Sequence, residues 1–222
     1  MKLTYATREA IKYACINFHY AKAIPVNTIG YNVYNDRNEW CGVVLFGTGA
    51  AKNIGHPYGL FQGQVLELVR VALNGKQSCT SKVVAEALKQ LKKDCPLCRL
   101  VVSYADCDQN HLGTIYQATN WLYCGKTDVG DTYFIINGKK THRKSVHGIT
   151  INGKPCPQTI EAVKMYLDKN ASVFYTKGKR KYLFPLDKKM KKQIEPLRQP
   201  YPKEDEGWKK IDRNKFKSNG ND

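Results

Sequence analysis

The chain has 222 residues, 42% of them hydrophobic and 11% aromatic, with a formal charge of +17. This composition excludes wholesale disorder and suits one buried core with a small appendage. No apolar run approaches the roughly 20 residues of a membrane span, and Met1 to Tyr20 lacks the apolar block of a signal peptide, so a soluble cytoplasmic protein with no membrane partner is expected.

The charge is uneven. Residues 1–125 hold 13 Lys/Arg against 8 Asp/Glu and residues 126–222 hold 23 against 11, a split of +5 and +12 that makes up the total of +17. A field of this size gathers polyanions, and the obvious one inside a cell is nucleic acid, bound through its phosphates. CoA phosphates and acidic membranes use such a field less completely, and a merely solvated basic surface is the alternative. The cysteines (Cys15, Cys41, Cys79, Cys95, Cys98, Cys107, Cys124, Cys156) lack regular spacing, which fits reduced thiols and no structural disulfide. Only Cys95 and Cys98 have metal-ligand spacing; without a second pair nearby they read as buried hydrophobes rather than a zinc site.

In chain order, a helix is predicted over residues 6–18, ending in His19-Tyr20. Residues 28–34 and 40–46 form an antiparallel hairpin through a turn at Asn35-Asp36. The glycine-rich stretch 47–59 is too long for a plain connector and points to function or ligand approach. Residues 66–73 and 100–106 are continuous apolar runs, and Val83, Val84, Ala87, Leu88 and Leu91 recur between them at a period near 3.6. That pattern is a parallel strand pair with a helical crossover, both faces covered. A helix over 115–121 follows, giving an α/β core whose site lies at the strand ends.

Residues 132–136 read as a strand, and Asn137-Gly138 turns it into the basic segment 139–144. A helix follows at about 158–168, and a last hairpin pairs 172–176 with 180–184 across Lys177-Gly-Lys179. Beyond Leu186 the chain turns polar, with a short basic helix at 188–192 and a disordered tail from Pro200. The expected organisation is one domain over 1–186 with a basic insertion at about 137–171, then a basic tail over 187–222.

The segment Ile115-Tyr116-Gln-Ala-Thr-Asn120-Trp121, behind the strand–helix–strand unit, resembles the Leu-Tyr-x-x-x-Gly-Phe signature of the GCN5-related N-acetyltransferase fold. The resemblance implies a mixed central sheet flanked by helices that holds acetyl-CoA, with Tyr116 as general acid near the thioester sulfur. Its phosphate turn corresponds to Gly75-Lys-Gln-Ser-Cys-Thr-Ser81, where Ser78, Thr80 and Ser81 are small enough for backbone N–H groups to face a pyrophosphate at a helix N-terminus.

A wider resemblance covers roughly residues 18–202. The blocks His19-Tyr-Ala-Lys22, Gly55-His-Pro-Tyr-Gly-Leu60, Glu67-Leu-Val-Arg-Val-Ala-Leu73, Arg99-Leu-Val-Val-Ser-Tyr-Ala-Asp106, Gly113-Thr-Ile-Tyr-Gln-Ala-Thr-Asn-Trp121 and Gly138-Lys-Lys-Thr-His-Arg143 are similar, in order, to the bacteriophage Mom family of DNA adenine-modification proteins. The resemblance implies a carbamoylmethyl (acetamido) group placed on adenine N6 in phage DNA, inside the bacterial host, as protection from restriction enzymes. Acetyl transfer alone would leave an amide on N6, whereas here N6 joins a methylene carbon and the carbonyl gains an amine. A second nitrogen source and an activated methyl carbon are needed. The resemblance implies iron for such a step, and the residues able to serve it are His19, Tyr20 and Asp106.

Each of these has a plainer reading: His19 as a helix C-cap, Asp106 as the N-cap of the next helix, Tyr116 as core packing. Glu67 and Arg70 are charges inside an apolar strand, costly unless paired or functional. Functionally, Glu67 is a candidate base, Arg70 an orienter of the acetyl donor, and Ser103 a hydrogen-bond partner of the same ligand. The DNA is expected to be double-stranded with its adenine flipped out, and Tyr123 is the candidate to stack on that base. Lys139, Lys140, His142, Arg143 and Lys144 suit a ribbon tracking phosphates, with Lys179 and Arg180 of the terminal hairpin as a second patch. Two other classes stay open, a conventional CoA-dependent N-acetyltransferase and a non-enzymatic DNA-binding protein, and so does a homodimer.

Overall fold

A computed structural model of the chain describes residues 1–49, 53–127 and 132–203. The first half runs β1 (Lys2–Tyr5), α1 (Arg8–Asn17), β2 (Thr28–Tyr34), β3 (Trp40–Gly47), β4 (Val65–Leu73), α2 (Thr80–Asp94) and β5 (Leu100–Asp106). Then come α3 (Thr114–Gln117), β6 (Leu122–Lys126), β7 (Thr132–Ile136), β8 (Lys139–His142), α4 (Arg143–His147), β9 (Thr150–Ile151) and β10 (Lys154–Pro155). The last elements are α5 (Ile160–Tyr166), β11 (Ser172–Tyr175), β12 (Lys179–Pro185) and α6 (Lys188–Ile194). The tail expected from Pro200 lies, from residue 204 on, outside the described residues, as do residues 50–52 of the glycine-rich stretch.

Seven strands form the central sheet in the order β1-β2-β3-β4-β5-β12-β6. Among the described residues its only parallel neighbours are β4 and β5, joined by α2 as a crossover. The fold is therefore the mixed α/β sheet flanked by helices that the sequence predicts. On one face the apolar stripe of α2 (Val83, Val84, Ala87, Leu88, Leu91) packs with Tyr31, Phe46, Val101, Tyr116, Trp121 and Tyr182. On the other, α1 covers Val43, Leu45 and Ala72, and α6 sets Met190 and Ile194 against Leu100, Val102, Leu122 and Leu183. Asp187 caps α6 through the Met190 N–H at 2.7 Å and takes two bonds from Arg99, which ties that helix to the start of β5.

The expected terminal hairpin does not form. β11 pairs with β7 in a separate three-stranded sheet, whereas β12 enters the central sheet between β5 and β6. Tyr182 and Leu183 are both fully buried on opposite faces of β12, as a strand covered on both sides requires. The expected 115–121 helix is also cut to one turn. Asn120 adopts a left-handed φ of 59°, and the Trp121 N–H turns back to the Tyr116 carbonyl at 3.0 Å, closing the helix before Trp121.

Residues 132–175 build a small module between β6 and β12 with its own core of Phe134, Val146, Cys156, Ala162, Val163 and Ala171. The Asn-Gly turn works there as predicted: Asn137 and Gly138 both have positive φ (49° and 73°) and join β7 to β8.

The β4–β5 ladder has only three rungs, the last pairing Glu67 with Val102. At the next position the Ser103 hydroxyl lies 3.0 Å from the Leu68 carbonyl and 2.9 Å from the Tyr116 hydroxyl. A carbonyl can only accept, so the single serine proton goes to Leu68 and Tyr116 donates to Ser103. A buried side chain thus takes the place of a backbone rung, and beyond it the strands part. A β-bulge in β4 assists. Leu45 pairs with Arg70 and Phe46 with Leu68, leaving Val69 as the extra residue. The bulge keeps Leu66, Leu68, Val71 and Leu73 together on the α2 side and moves Arg70 out of that apolar row.

Candidate functional site

The parted ends of β4 and β5 enclose a cleft of about 760 Å³, lined by Glu67 to Val71, Tyr104 to Cys107, Phe18 to Tyr20, and Asn110 to Tyr116. The exposed lysines Lys126, Lys177 and Lys179, together with Arg180, complete its wall. Among the described lining residues, five cationic side chains, counting Arg70, thus face two carboxylates, Glu67 and Asp106. Such an imbalance favours an anionic ligand.

His19, Tyr20 and Asp106 converge there as expected. Tyr20 donates to Asp106 Oδ2 at 3.3 Å, its ring stacks on His19 at 4.5 Å, and His111 meets it edge-on at 5.6 Å. Burial, then the adjacent Asp106 charge, pushes the Tyr20 phenol up to about 12, so it stays a proton donor. Asp106 also caps the turn after β5, accepting the Asp108 N–H at 2.9 Å through Oδ1. The capping and the functional readings of Asp106 are therefore compatible, one oxygen for each.

His19 is held neutral: burial, then the charges of Arg70 and His111, lowers its pKa from 6.5 to about 4. The Ala21 N–H donates to Nδ1 at 3.1 Å, which places the ring proton on Nε2. Nδ1 is thus occupied and Nε2 carries the proton, so neither nitrogen offers a free lone pair. Among the described residues no group of three or more His, Cys, Asp or Glu side chains is placed to hold a metal. As placed, these residues do not fit iron.

Arg70 reaches the cleft through the bulge. Its Nη1 donates to the Val69 carbonyl at 2.6 Å, while its buried Nε has no partner among the described residues, the state of a donor that a ligand would complete. Glu67 lies under the glycine-rich stretch, with Oε2 2.7 Å from where a side chain on Gly49 would begin. Gly113 is required for a similar reason. At φ +76° any Cβ would lie 2.4 Å from the Tyr182 ring, and this glycine starts α3 at the cleft wall.

Several expected site residues stand elsewhere. Ser103 is fully buried and wedges the strands apart instead of facing the cleft. Tyr116 touches the cleft, but its hydroxyl is committed to Ser103 and its ring packs on Trp121 and Tyr182. Tyr123 is only 8% exposed and packs at a tilt against Tyr182 in the core, so it is no platform for a flipped base. Ser78, Thr80 and Ser81 form the entry to α2, outside the cleft lining. Arg180, 8% exposed, donates to the His111 carbonyl at 3.0 Å and shapes the wall rather than a surface patch. His142 caps α4 through the Lys144 N–H at 3.0 Å and Arg143 holds the Gln158 carbonyl at 2.8 Å. Lys139 and Lys144 are exposed, and Lys140 bridges to Asp108 at 3.6 Å. Sequence reasoning did not single out His111 or Lys126. A histidine shortly after a strand-end aspartate was a usable signal for the first, whereas Lys126 enters only through the β6–β12 pairing.

No helix among the described residues is long and apolar enough to cross a membrane. Over residues 1–203 the chain matches the model of the Mom protein family. It is 24% identical over 193 residues to the methylcarbamoylase Mom of Escherichia phage Mu, covering 83% of this chain and 76% of that protein. Among solved structures, a Bacillus subtilis acetyltransferase in complex with CoA aligns over 83% of this chain and 97% of its own at 10% identity and a TM-score of 0.45. A spermidine/spermine N-acetyltransferase of Vibrio cholerae aligns over 86% and 95% at 11% identity and a TM-score of 0.44. With the family model matched from the first residue through the last described one, this chain belongs to the Mom protein family.

Proposed function

We propose that the protein modifies DNA by placing a carbamoylmethyl group on adenine N6, protecting phage DNA from restriction. Family membership and the similarity to a methylcarbamoylase support the reaction class. The observation that carries it to the residues is the Tyr20–Asp106 pair set in a cation-walled cleft at the strand ends.

The step attributed to this cleft is displacement at a methylene carbon already activated by a leaving group: the N6–C bond forms as that group departs with the bonding electron pair, and N6 gives up one proton. Asp106 is the acceptor: Oδ1 is steadied by the Asp108 N–H, and Oδ2, reached by Tyr20, faces the cleft. Arg70, through its unpartnered Nε, would orient the carbonyl oxygen of the two-carbon unit, and neutral His19 offers Nε2–H as a second donor. The same cleft and Arg70 would hold the acyl end of acetyl-CoA, with the uncapped first turn of α2 for its phosphates. Bound there, the thioester supplies a two-carbon unit with an activated carbonyl.

The test is expression in a bacterium, digestion of cellular DNA to nucleosides and mass spectrometry for carbamoylmethyl-adenosine, beside an Asp106→Ala control. The adduct is expected with the intact chain only. Unmodified DNA from well-expressed, folded protein would overturn the reading.

A further inference from the structure

With Tyr123 in the core, the surface that meets an extruded strand must lie elsewhere, and the 132–175 module supplies one. Register places His142, Tyr133 and Phe174 in a single row across β8, β7 and β11, because Tyr133 pairs with both others. Alternation sends Phe134 and Val173 to the opposite face, into the module's core. The row is half-buried rather than sealed. Lys140, on the same face, holds its ammonium 3.7 Å from the Phe174 ring centre and 4.5 Å from that of Tyr133. It also reaches Asp108 Oδ2, in the turn after β5, at 3.6 Å, so the aromatic row stands beside the cleft. Exposed Lys177 and Lys179 line the cleft next to it and Lys139 and Lys144 sit on the module itself.

Aromatic rings on a sheet face, interleaved with lysines, form the kind of surface on which nucleobases stack while the cations follow the phosphates. We propose that the β8–β7–β11 face, through the rings of Phe174 and Tyr133, stacks an unpaired base of the strand whose adenine enters the cleft. A base arriving on Phe174 displaces the Lys140 ammonium from the ring toward the phosphate of that nucleotide, while Asp108 keeps its bond from the Lys177 N–H. This inference rests on DNA being the substrate, and it assigns the module to holding the opened strand rather than reading the duplex.

The probe is an oligonucleotide carrying 2-aminopurine, single-stranded or as one unpaired position in a duplex, titrated with the full chain. Stacking on the rings is expected to quench its fluorescence. Phe174→Leu and Tyr133→Leu should each weaken single-strand binding by about tenfold and abolish most of the quench, with fully paired duplex binding and the salt slope unchanged. Phe174→Tyr should restore both, which separates ring loss from a damaged module. If the leucine variants bind and quench like the parent while cellular DNA is still modified, the platform is wrong and the modification stands. If they lose the quench although the parent modifies no DNA, the platform stands without the enzyme. A parent chain that neither binds nor quenches the probe overturns the platform.

Discussion

At Asp106 the two carboxylate oxygens have separate duties, one on the Asp108 N–H and one beside the Tyr20 hydroxyl. Asp106→Asn keeps an acceptor for the cap and removes the proton acceptor, so adenine modification should fall by on the order of 100-fold or more with little change in thermal stability. Tyr20→Phe should cost less, about tenfold, because it removes a donor while leaving the carboxylate. Both are read by mass spectrometry of digested DNA at matched expression. His19 carries a pH signature. Its folded pKa of about 4 lies below the ordinary 6.5, so between those values the unfolded chain binds the extra proton. The stabilisation is fully present above about pH 6.5 and is lost as pH falls toward 4, by at most about 2–3 kcal/mol. Urea melts at pH 7 and 4.5 should show this loss in the parent and not in His19→Gln; an equal loss in both would show that His19 is not the titrating group.

The parting of β4 and β5 depends on a serine where a ladder rung would be. Ser103→Ala leaves the Leu68 carbonyl and the Tyr116 hydroxyl buried without partners, a cost of about 1–3 kcal/mol. Tyr116→Phe leaves Ser103 still bonded to Leu68 and should cost about 1 kcal/mol, with the double variant well short of additive in urea denaturation. This wedge was invisible in the sequence, where Ser103 reads as one polar residue in an apolar strand and Tyr116 as a site tyrosine. The elements themselves were legible. The 3.6-residue stripe of α2, the Asn-Gly turn of β7–β8 and the apolar runs of β4 and β5 each carry a local signal. The pairing of β11 and β12 was not, since Lys177-Gly-Lys179 looks like a hairpin turn and Gly178 does adopt φ 80°. Only the demand of Tyr182 and Leu183 for burial on both faces separates the two strands, and that demand comes from β5 and β6, far away in sequence. Tyr123 misled for the same reason: an aromatic at a strand end looks exposed until β12 covers it.

On the scale of the molecule, the protein is a cleft-bearing sheet with a basic module inserted between two of its strands, and their relative placement hinges on Asp108. Its carboxylate, with only 14% of the side chain exposed, accepts the Lys177 N–H at 2.9 Å where the chain returns from the module, and meets Lys140 at 3.6 Å. The module has its own core, so releasing this clasp should not unfold it. Its lysines are also untouched, and loss of one carboxylate raises the formal charge of +17 by only one, so the phosphate-driven part of DNA binding should survive. What changes is how rigidly the aromatic row is held beside the cleft, and a misplacement of about 1 Å at a reacting group can cost about 100-fold in rate. Asp108→Ala is therefore expected to keep the parent's salt slope and duplex affinity within about twofold, yet to lower adenine modification about tenfold or more. Hydrogen exchange distinguishes the cause: protection should fall at residues 176–179 and stay unchanged through α5 and β7, whereas loss across the whole module would mean that Asp108 supports its folding rather than its position.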